Sequence, residues 1–162
     1  MPGGGIIADR LLPEWANLRF YADGTPQAET LAGVRVGGTT FPVTGPSSKA
    51  VRFTIGSNRA WGIGLLPLGW AKFVGKPASD YADALIDGHS DPAFADFRVL
   101  SDTLFGDVPD TDAELARITA YFSARVGDPV PDEARIMAIH AALVDPETAT
   151  VAQLVEHSGI SQ

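Results

Sequence analysis

Residues 51–65 read VRFTIGSNRAWGIGL and decide the fold of the first half of the chain. The apolar residues of 51–55 alternate with Arg52 and Thr54, which predicts a half-buried β-strand. Residues 56–58, Gly-Ser-Asn, predict a turn. Residues 61–65 alternate large apolar side chains with glycine, so a second strand is predicted directly after that turn.

Further short strands are predicted on both sides of this stretch. Leu18 and Phe20 alternate with polar neighbours, residues 34–36 repeat the pattern, and residues 70–74 are predicted as a last strand. Residues 41–48 are expected to form an edge segment or loop, because their prolines lack the N–H that a central strand donates. Short, glycine-rich strands without intervening helices are typical of an antiparallel β-sandwich or a small cupin-like barrel.

After residue 76 the spacing of apolar residues changes from two to three or four, which predicts helices. The predicted helices cover Tyr81 to Gly88, Asp91 to Leu104, Thr111 to Gly127 and Ile136 to Leu143. Thr111 and Glu114 have the spacing of a capping box that starts the third helix. The fold class is therefore predicted to be α+β, with an N-terminal sandwich or small cupin-like barrel followed by a C-terminal helical region.

Composition limits the possible locations and chemistries. The 162 residues fit one domain, or one domain with an appendage. No apolar run is long enough to cross a bilayer and no signal peptide is evident, so we expect a cytoplasmic protein without a membrane partner. The chain has no cysteine, which excludes disulfides and thiolate chemistry.

Charge is distributed unevenly along the chain. Residues 1–79 carry eight Lys and Arg against four Asp and Glu, whereas residues 80–162 carry four against sixteen. The formal net charge of −8 argues against binding of this chain alone to the phosphate backbone of DNA. The basic and acidic halves are instead suited to pack against each other.

The C-terminal residues 148–162 have the pattern of the first half of a helix-turn-helix. Thr150 and Gln153 form a second capping box, so a helix is predicted to start at Val151. Gly159 is suited to end that helix. We further expect Ile160 to fold back onto the apolar helix face and Ser161 to cap a second helix. In a helix-turn-helix that second helix enters the major groove.

The segment 150–161, TVAQLVEHSGIS, is similar to the first helix-turn-helix of AraC-type transcription regulators up to its turn. Residues 12–13, 18–20 and 61–70 resemble a divergent group of these regulators. The family's arginine-rich segment is absent after Ser161. The resemblance implies a β-rich ligand-sensing part (1–76), a helical dimerisation or linker part (77–146) and the start of a DNA-binding domain (147–162) that is cut within its first motif.

Aromatic and basic residues of the β-rich part are candidates for a ligand pocket, because such pockets combine apolar walls with a few polar groups. Gly62 and Gly64 leave one strand face without side chains, which typically marks a close approach of backbone, aromatic ring or ligand. Trp61 and Trp70 are the favoured pocket markers for that reason. The candidate ligand-binding residues are Trp61, Trp70, Trp15, Phe53, Arg52, Arg19 and Phe73. The aromatics are alternatively plain core, and the arginines alternatively face solvent.

A stripe in the third predicted helix is the candidate dimer interface. Its residues are Leu115, Ile118, Phe122 and Val126. In the resembled family such helices often make the dimer. Packing of the stripe onto the β-rich part is the alternative.

Catalytic and metal sites are not expected. The three histidines, His89, His140 and His157, are far apart and all lie outside the β-rich part, unlike the ligands of a metal-dependent cupin. No Gly-x-Ser-x-Gly elbow, dinucleotide fingerprint or phosphate-binding glycine loop is present. We therefore expect no enzyme activity, no metal and no cofactor.

The sequence thus favours the sensing and dimerisation domain of an AraC-like regulator. Its expected partners are a small-molecule effector, a second copy of the chain, and DNA only through the missing C-terminal domain. The alternatives are a small cupin-like protein or enzyme that binds a small molecule, and a ligand-free structural interaction domain.

Overall fold

The computed structural model describes residues 5–159, which form two antiparallel four-stranded sheets and five α-helices. This confirms the predicted α+β class, with strands mainly N-terminal and helices mainly C-terminal. The strands are β1 Ile7–Leu11, β2 Ala16–Tyr21, β3 Gln27–Thr30, β4 Arg35–Val36, β5 Pro42–Thr44, β6 Val51–Ile55, β7 Ala60–Leu65 and β8 Leu85–Asp87. The helices are α1 Pro67–Phe73, α2 Arg98–Thr103, α3 Thr111–Ser123, α4 Glu133–Val144 and α5 Val151–Ser158.

The strand order is β1-β6-β3-β4 in the first sheet and β7-β2-β5-β8 in the second. Both strands of residues 51–65 are confirmed, but they do not pair with each other. Strand β6 pairs with β1 and β3, whereas β7 pairs with β2. The turn between them therefore carries the chain from one sheet to the other.

The hydrophobic core lies between the second sheet and the helices. Ala16, Leu18 and Phe20 alternate along β2 and are buried, and the Phe20 ring stacks on Phe41 with centroids 4.6 Å apart. The helical segments contribute Phe94, Phe97, Leu100 and Leu104 to the same cluster. The helices cover one face of β2, and the opposite face is directed towards the first sheet.

The strand predicted at 70–74 is wrong, since these residues belong to α1 and the turn that follows it. Pro67 occupies the first turn of the helix, where its missing N–H breaks no intrahelical bond. The Trp70 ring is buried and its Nε1 donates to the Lys76 carbonyl at 2.7 Å.

The helix predicted from Tyr81 to Gly88 is also wrong. A 3₁₀ turn at Ala78–Tyr81 is followed by strand β8, which pairs with β5. Asp83 has a φ of 55°, which is incompatible with a continuing helix. The sequence predicted a change from strands to helices after residue 76. Helix α1 lies before that point and strand β8 lies after it, so strands and helices are not cleanly separated there.

Strand β5 is internal rather than an edge segment or loop, because it lies between β2 and β8. Its proline is tolerated there because pairing with β2 covers only Val43 and Thr44, and Pro42 pairs with β8 alone.

The remaining helix predictions hold, with one change of cap. Asp91 caps a 3₁₀ helix, Pro92–Phe97, that leads into α2. Asp110, rather than Thr111, caps α3 by accepting from the Ala113 N–H at 3.0 Å. Thr150 caps α5, and Gly159 ends it with a φ of 67°. The predictions for Ile160 and Ser161 lie outside the described residues. Across residues 5–159, no helix combines the length and apolar character needed to cross a membrane.

The Asp83 carboxylate provides a test of this corner of the fold. It accepts from the Ser48 N–H at 2.6 Å and from the Ser48 hydroxyl at 2.8 Å, and these bonds lower the pKa of the carboxyl. Because the pKa of Asp83 is lower in the folded state, its ionised carboxylate stabilises the fold. This contribution is complete above the unfolded pKa of about 3.9, and it is lost as pH falls through the lower pKa of the folded state.

We therefore expect the stability advantage of the wild type over Asp83→Asn to shrink as pH falls from about 6 to about 3. Asparagine tolerates the same positive φ, so the variant removes the charge without straining the backbone. Urea unfolding across this pH range measures the difference. A difference that is independent of pH contradicts the assignment.

Candidate functional site

A cavity lies between the two sheets, on the face of β2 opposite the hydrophobic core. Alternation in β2 directs Arg19 and Tyr21 towards the first sheet. The cavity has a volume of about 180 Å³. Its lining residues come from both sheets and their loops: Leu11, Arg19, Tyr21, Pro26, Ala28, Pro42, Thr44, Phe53 and Leu85. We refer to it as the inter-sheet cavity.

Arg19 is fixed in the wall of this cavity by a polar network. Its guanidinium donates to Glu14 Oε1 at 2.5 Å and to Thr44 Oγ1 at 2.8 Å. The other Glu14 oxygen accepts from Asn17 Nδ2 at 3.3 Å. Glu14 is held in turn by Ser47, whose hydroxyl accepts from the Glu14 N–H at 3.0 Å. The charge of Arg19 is therefore compensated within the protein.

Tyr21 contributes a second polar group to the inter-sheet cavity. Burial raises the pKa of its hydroxyl, and the charge of Arg19 only partly opposes that effect. Since the ordinary tyrosine pKa is about 10, the hydroxyl stays protonated at neutral pH. The Tyr21 side chain is partly buried and its hydroxyl makes no hydrogen bond to residues 5–159, so it is available as a donor.

Gly62 and Gly64 of β7 lie on the same face of the second sheet as Arg19 of β2. Gly62 pairs with Arg19 and Gly64 pairs with Asn17. A Cβ at Gly62 would contact Asn17 Oδ1 at 3.4 Å, whereas a Cβ at Gly64 would meet no atom within 4 Å. The glycines therefore leave space beside the polar network, and this space does not border Trp61.

Trp61 lies on the opposite face of β7, where it contacts α3. Its Nε1 donates to Glu114 Oε2 at 2.7 Å, and Arg59 Nε lies 3.3 Å from Glu114 Oε1. The Glu114 carboxylate is only 2% exposed. Arg59 also donates to the Gly106 carbonyl at 2.8 Å. This Trp61–Arg59–Glu114 cluster attaches α3 to the second sheet.

Trp15 and Trp70 lie together in a different place, a groove of about 460 Å³ between α1 and the start of α4. We refer to it as the Trp15–Trp70 groove. Trp15 is 43% exposed, and its ring meets His140 of α4 edge-on, with centroids 5.5 Å apart. His140 is thus a packing residue beside an exposed tryptophan.

The remaining candidates lie elsewhere. Phe73 lines a groove of about 570 Å³ with Phe122 and Val126 of the α3 region. Arg52 is exposed and pairs in register with Arg10 and Glu29. Phe53, next in the chain, contributes to the inter-sheet cavity. The seven predicted ligand-binding residues therefore occupy several surfaces, and only Arg19 and Phe53 share the inter-sheet cavity.

The predicted dimer stripe does not form one exposed face. Ile118 and Phe122 pack against the hydrophobic core, in line with the intramolecular alternative. Leu115 is 48% exposed and Val126 is 61% exposed. Only these two members are available to a second copy of the chain.

A polar cluster around His89 was not anticipated from the sequence. The ring Nε2 lies 3.2 Å from Thr40 Oγ1 and 3.5 Å from Ser101 Oγ. Burial alone would raise the pKa of the neighbouring Asp87, but hydrogen bonds from Ser90, Thr39 and the His89 N–H lower it overall. The cluster joins β8 to α2 and lines neither the inter-sheet cavity nor the two grooves.

Sequence reasoning missed Glu14, Tyr21 and Thr44 as site residues. Tyr21 could have been found, because it lies two residues after Arg19 and so shares its strand face. Glu14 lies in a loop, and no periodic signal identifies it. Within the described part of the chain, no three His, Asp or Glu side chains gather in a way that could hold a metal ion.

Comparisons of the chain with models of known protein families, with curated proteins and with solved structures found no match.

The Trp61–Arg59–Glu114 cluster predicts a large effect of Glu114→Ala. Removing the carboxylate leaves the Trp61 N–H without its acceptor and the partly exposed Arg59 without its partner, so we expect a cost of about 2–4 kcal/mol. Asp112→Ala, on the exposed side of the same helix turn, is the control and should cost less than about 1 kcal/mol. Chemical denaturation measures both. Equal costs for the two variants would rule out a stabilising cluster.

Proposed function

We propose that this chain is the ligand-sensing part of an AraC-like transcription regulator and has no catalytic activity of its own. The effector binds in the inter-sheet cavity, and its binding changes how α4 and α5 are held. One observation carries the proposal: the segment 14–19 contributes both to the wall of the cavity and to the contact with α4.

The path from the cavity to α4 runs through adjacent residues. Arg19 lines the cavity and binds Glu14, and Trp15 is the next residue in the chain. The Trp15 ring meets His140 on α4. A ligand that packs against Arg19 in the cavity therefore acts on segment 14–19, which also positions Trp15.

The path continues from α4 to α5. The two helices pack against each other, and the loop between them is fixed to the end of α5, because Thr148 Oγ1 lies 2.7 Å from His157 Nδ1. Helix α5 corresponds to the first helix of the resembled helix-turn-helix. Its Thr150 cap and its left-handed Gly159 end match the helix bounds predicted from the spacing of residues 150–159, which supports the proposal.

Sensing requires two arrangements of α4 that differ in their affinity for the effector. A ligand shifts their populations only by its differential affinity for the two. Trp15 is half-exposed beside the Trp15–Trp70 groove, so its ring has space to change its contact with α4.

Dimerisation is a second part of the proposal, with Leu115 and Val126 as its contact residues. Both are exposed, whereas their stripe neighbours support the core. Sedimentation that shows only monomer at high concentration would remove this part and leave the sensing part intact.

A thermal-shift screen followed by hydrogen exchange tests the sensing function. A compound at one hundred times its dissociation constant should stabilise the wild type by about 2.7 kcal/mol. It should not stabilise Ala28→Leu, in which the added side chain occupies the cavity. Bound compound should change amide exchange in residues 133–158, and this change should be lost in Trp15→Ala and retained in Trp15→Phe.

Two outcomes contradict the proposal in different ways. Compounds that bind in the cavity and leave exchange in α4 and α5 unchanged indicate a small-molecule-binding protein without this output. A broad screen in which no compound depends on the cavity indicates a ligand-free structural domain.

A further inference from the structure

The shape and charge of the inter-sheet cavity restrict its ligand further than the proposed function does. Its volume of about 180 Å³ is close to that of an apolar protein cavity of roughly 150 Å³ that accommodates benzene. The first sheet contributes Leu11, Ala28 and Phe53, and the second contributes Leu85. These walls fit a molecule of about one ring.

The charge on Arg19 is compensated by Glu14. One terminal nitrogen of its guanidinium donates to Glu14 and the other donates to Thr44. A carboxylate ligand would either displace Glu14 or lie beside it as a like charge. A cation, in turn, would lie beside the guanidinium. The ion pair therefore disfavours either charge in the cavity.

The uncharged donor of this wall that no protein acceptor engages is the Tyr21 hydroxyl. It lines the same cavity and has no protein partner among residues 5–159, and it keeps its proton at neutral pH. A ligand oxygen that accepts from this hydroxyl inside the cavity gains affinity over a ligand without an acceptor. The ligand that matches this wall carries a hydrogen-bond acceptor at one edge.

Resting on the proposed function, we infer that the inter-sheet cavity takes a compact, uncharged molecule of about one ring that carries one hydrogen-bond acceptor for Tyr21. Arg19 and Glu14 act as a neutral pair that discriminates against charged compounds. The ligand class is therefore small aromatic or alicyclic ketones, ethers and alcohols, and excludes carboxylic acids and amines.

Four one-ring probes test this inference by titration calorimetry: acetophenone, toluene, benzoate and benzylammonium. Acetophenone should bind the wild type, and both charged probes should bind at least about tenfold more weakly. Toluene lacks the acceptor and should bind about two- to tenfold more weakly than acetophenone. Tyr21→Phe should reduce acetophenone affinity by the same factor and leave toluene affinity unchanged.

Two bulk variants locate the binding site. Ala28→Leu adds a side chain inside the cavity and should abolish acetophenone binding, whereas Ala116→Leu adds the same bulk on the exposed side of α3 and should not. Tyr21→Phe keeps the ring and its packing, so it tests the same site if Ala28→Leu does not fold.

The inference is overturned if benzoate binds more tightly than acetophenone, if none of the four probes binds, or if Tyr21→Phe weakens toluene and acetophenone equally. Failure of the proposed function looks different. Acetophenone that binds in the cavity and leaves hydrogen exchange in α4 and α5 unchanged contradicts the regulator and leaves the ligand class standing.

Discussion

The alternation of side chains in β2 is the constraint on which the rest of the structure depends. Ala16, Leu18 and Phe20 point towards the helices, and Arg19 and Tyr21 point towards the first sheet. Burial of each large apolar side chain contributes about 1.5–3 kcal/mol, so the helix side supplies most of the stability of this sheet. The opposite side can then keep polar groups and a cavity, because stability does not depend on filling it.

The charged groups follow the same division. The basic and acidic halves of the chain meet on the helix side, through Arg59 with Glu114 and Lys72 with Glu133. Glu14 and Arg19, which are close in sequence, pair beside the inter-sheet cavity. Apolar burial and the Arg59–Glu114 pair therefore hold α3 to the second sheet, the Lys72–Glu133 pair joins α1 to α4, and the cavity has its own local network.

Strong periodic patterns predicted the fold, and weak patterns failed. Strands β6 and β7 have unbroken alternation, and α5 has a capping box, so each was predicted correctly. Residues 81–86 have apolar spacing that suits a helix, but pairing with the free side of β5 makes residues 85–87 a strand. Short apolar runs cannot be assigned from periodicity alone, because a neighbouring strand decides their state.

The candidate site was predictable only in part. Arg19 and Phe53 were identified from their place in alternating strands, although their convergence across two sheets depends on a pairing order that sequence does not reveal. Trp61 was expected to mark a pocket, but its indole N–H donates to the buried carboxylate of Glu114. Glu114 itself was expected to take part in a helix cap. The dimer stripe was predicted from the spacing of apolar residues in α3. That spacing does not show that Ile118 and Phe122 face the core, on the side of the helix where Glu114 is also buried.

The most direct test of this division is the free energy of unfolding of two matched variants, Phe20→Ala and Phe53→Ala. Phe20 is fully buried on the helix side, and Phe53 is partly buried on the inter-sheet side. Phe20→Ala should cost about 3–5 kcal/mol, as in a packed core, and Phe53→Ala should cost clearly less. Equal costs, or a larger cost at Phe53, would show that the space between the sheets is the main core and would contradict the account.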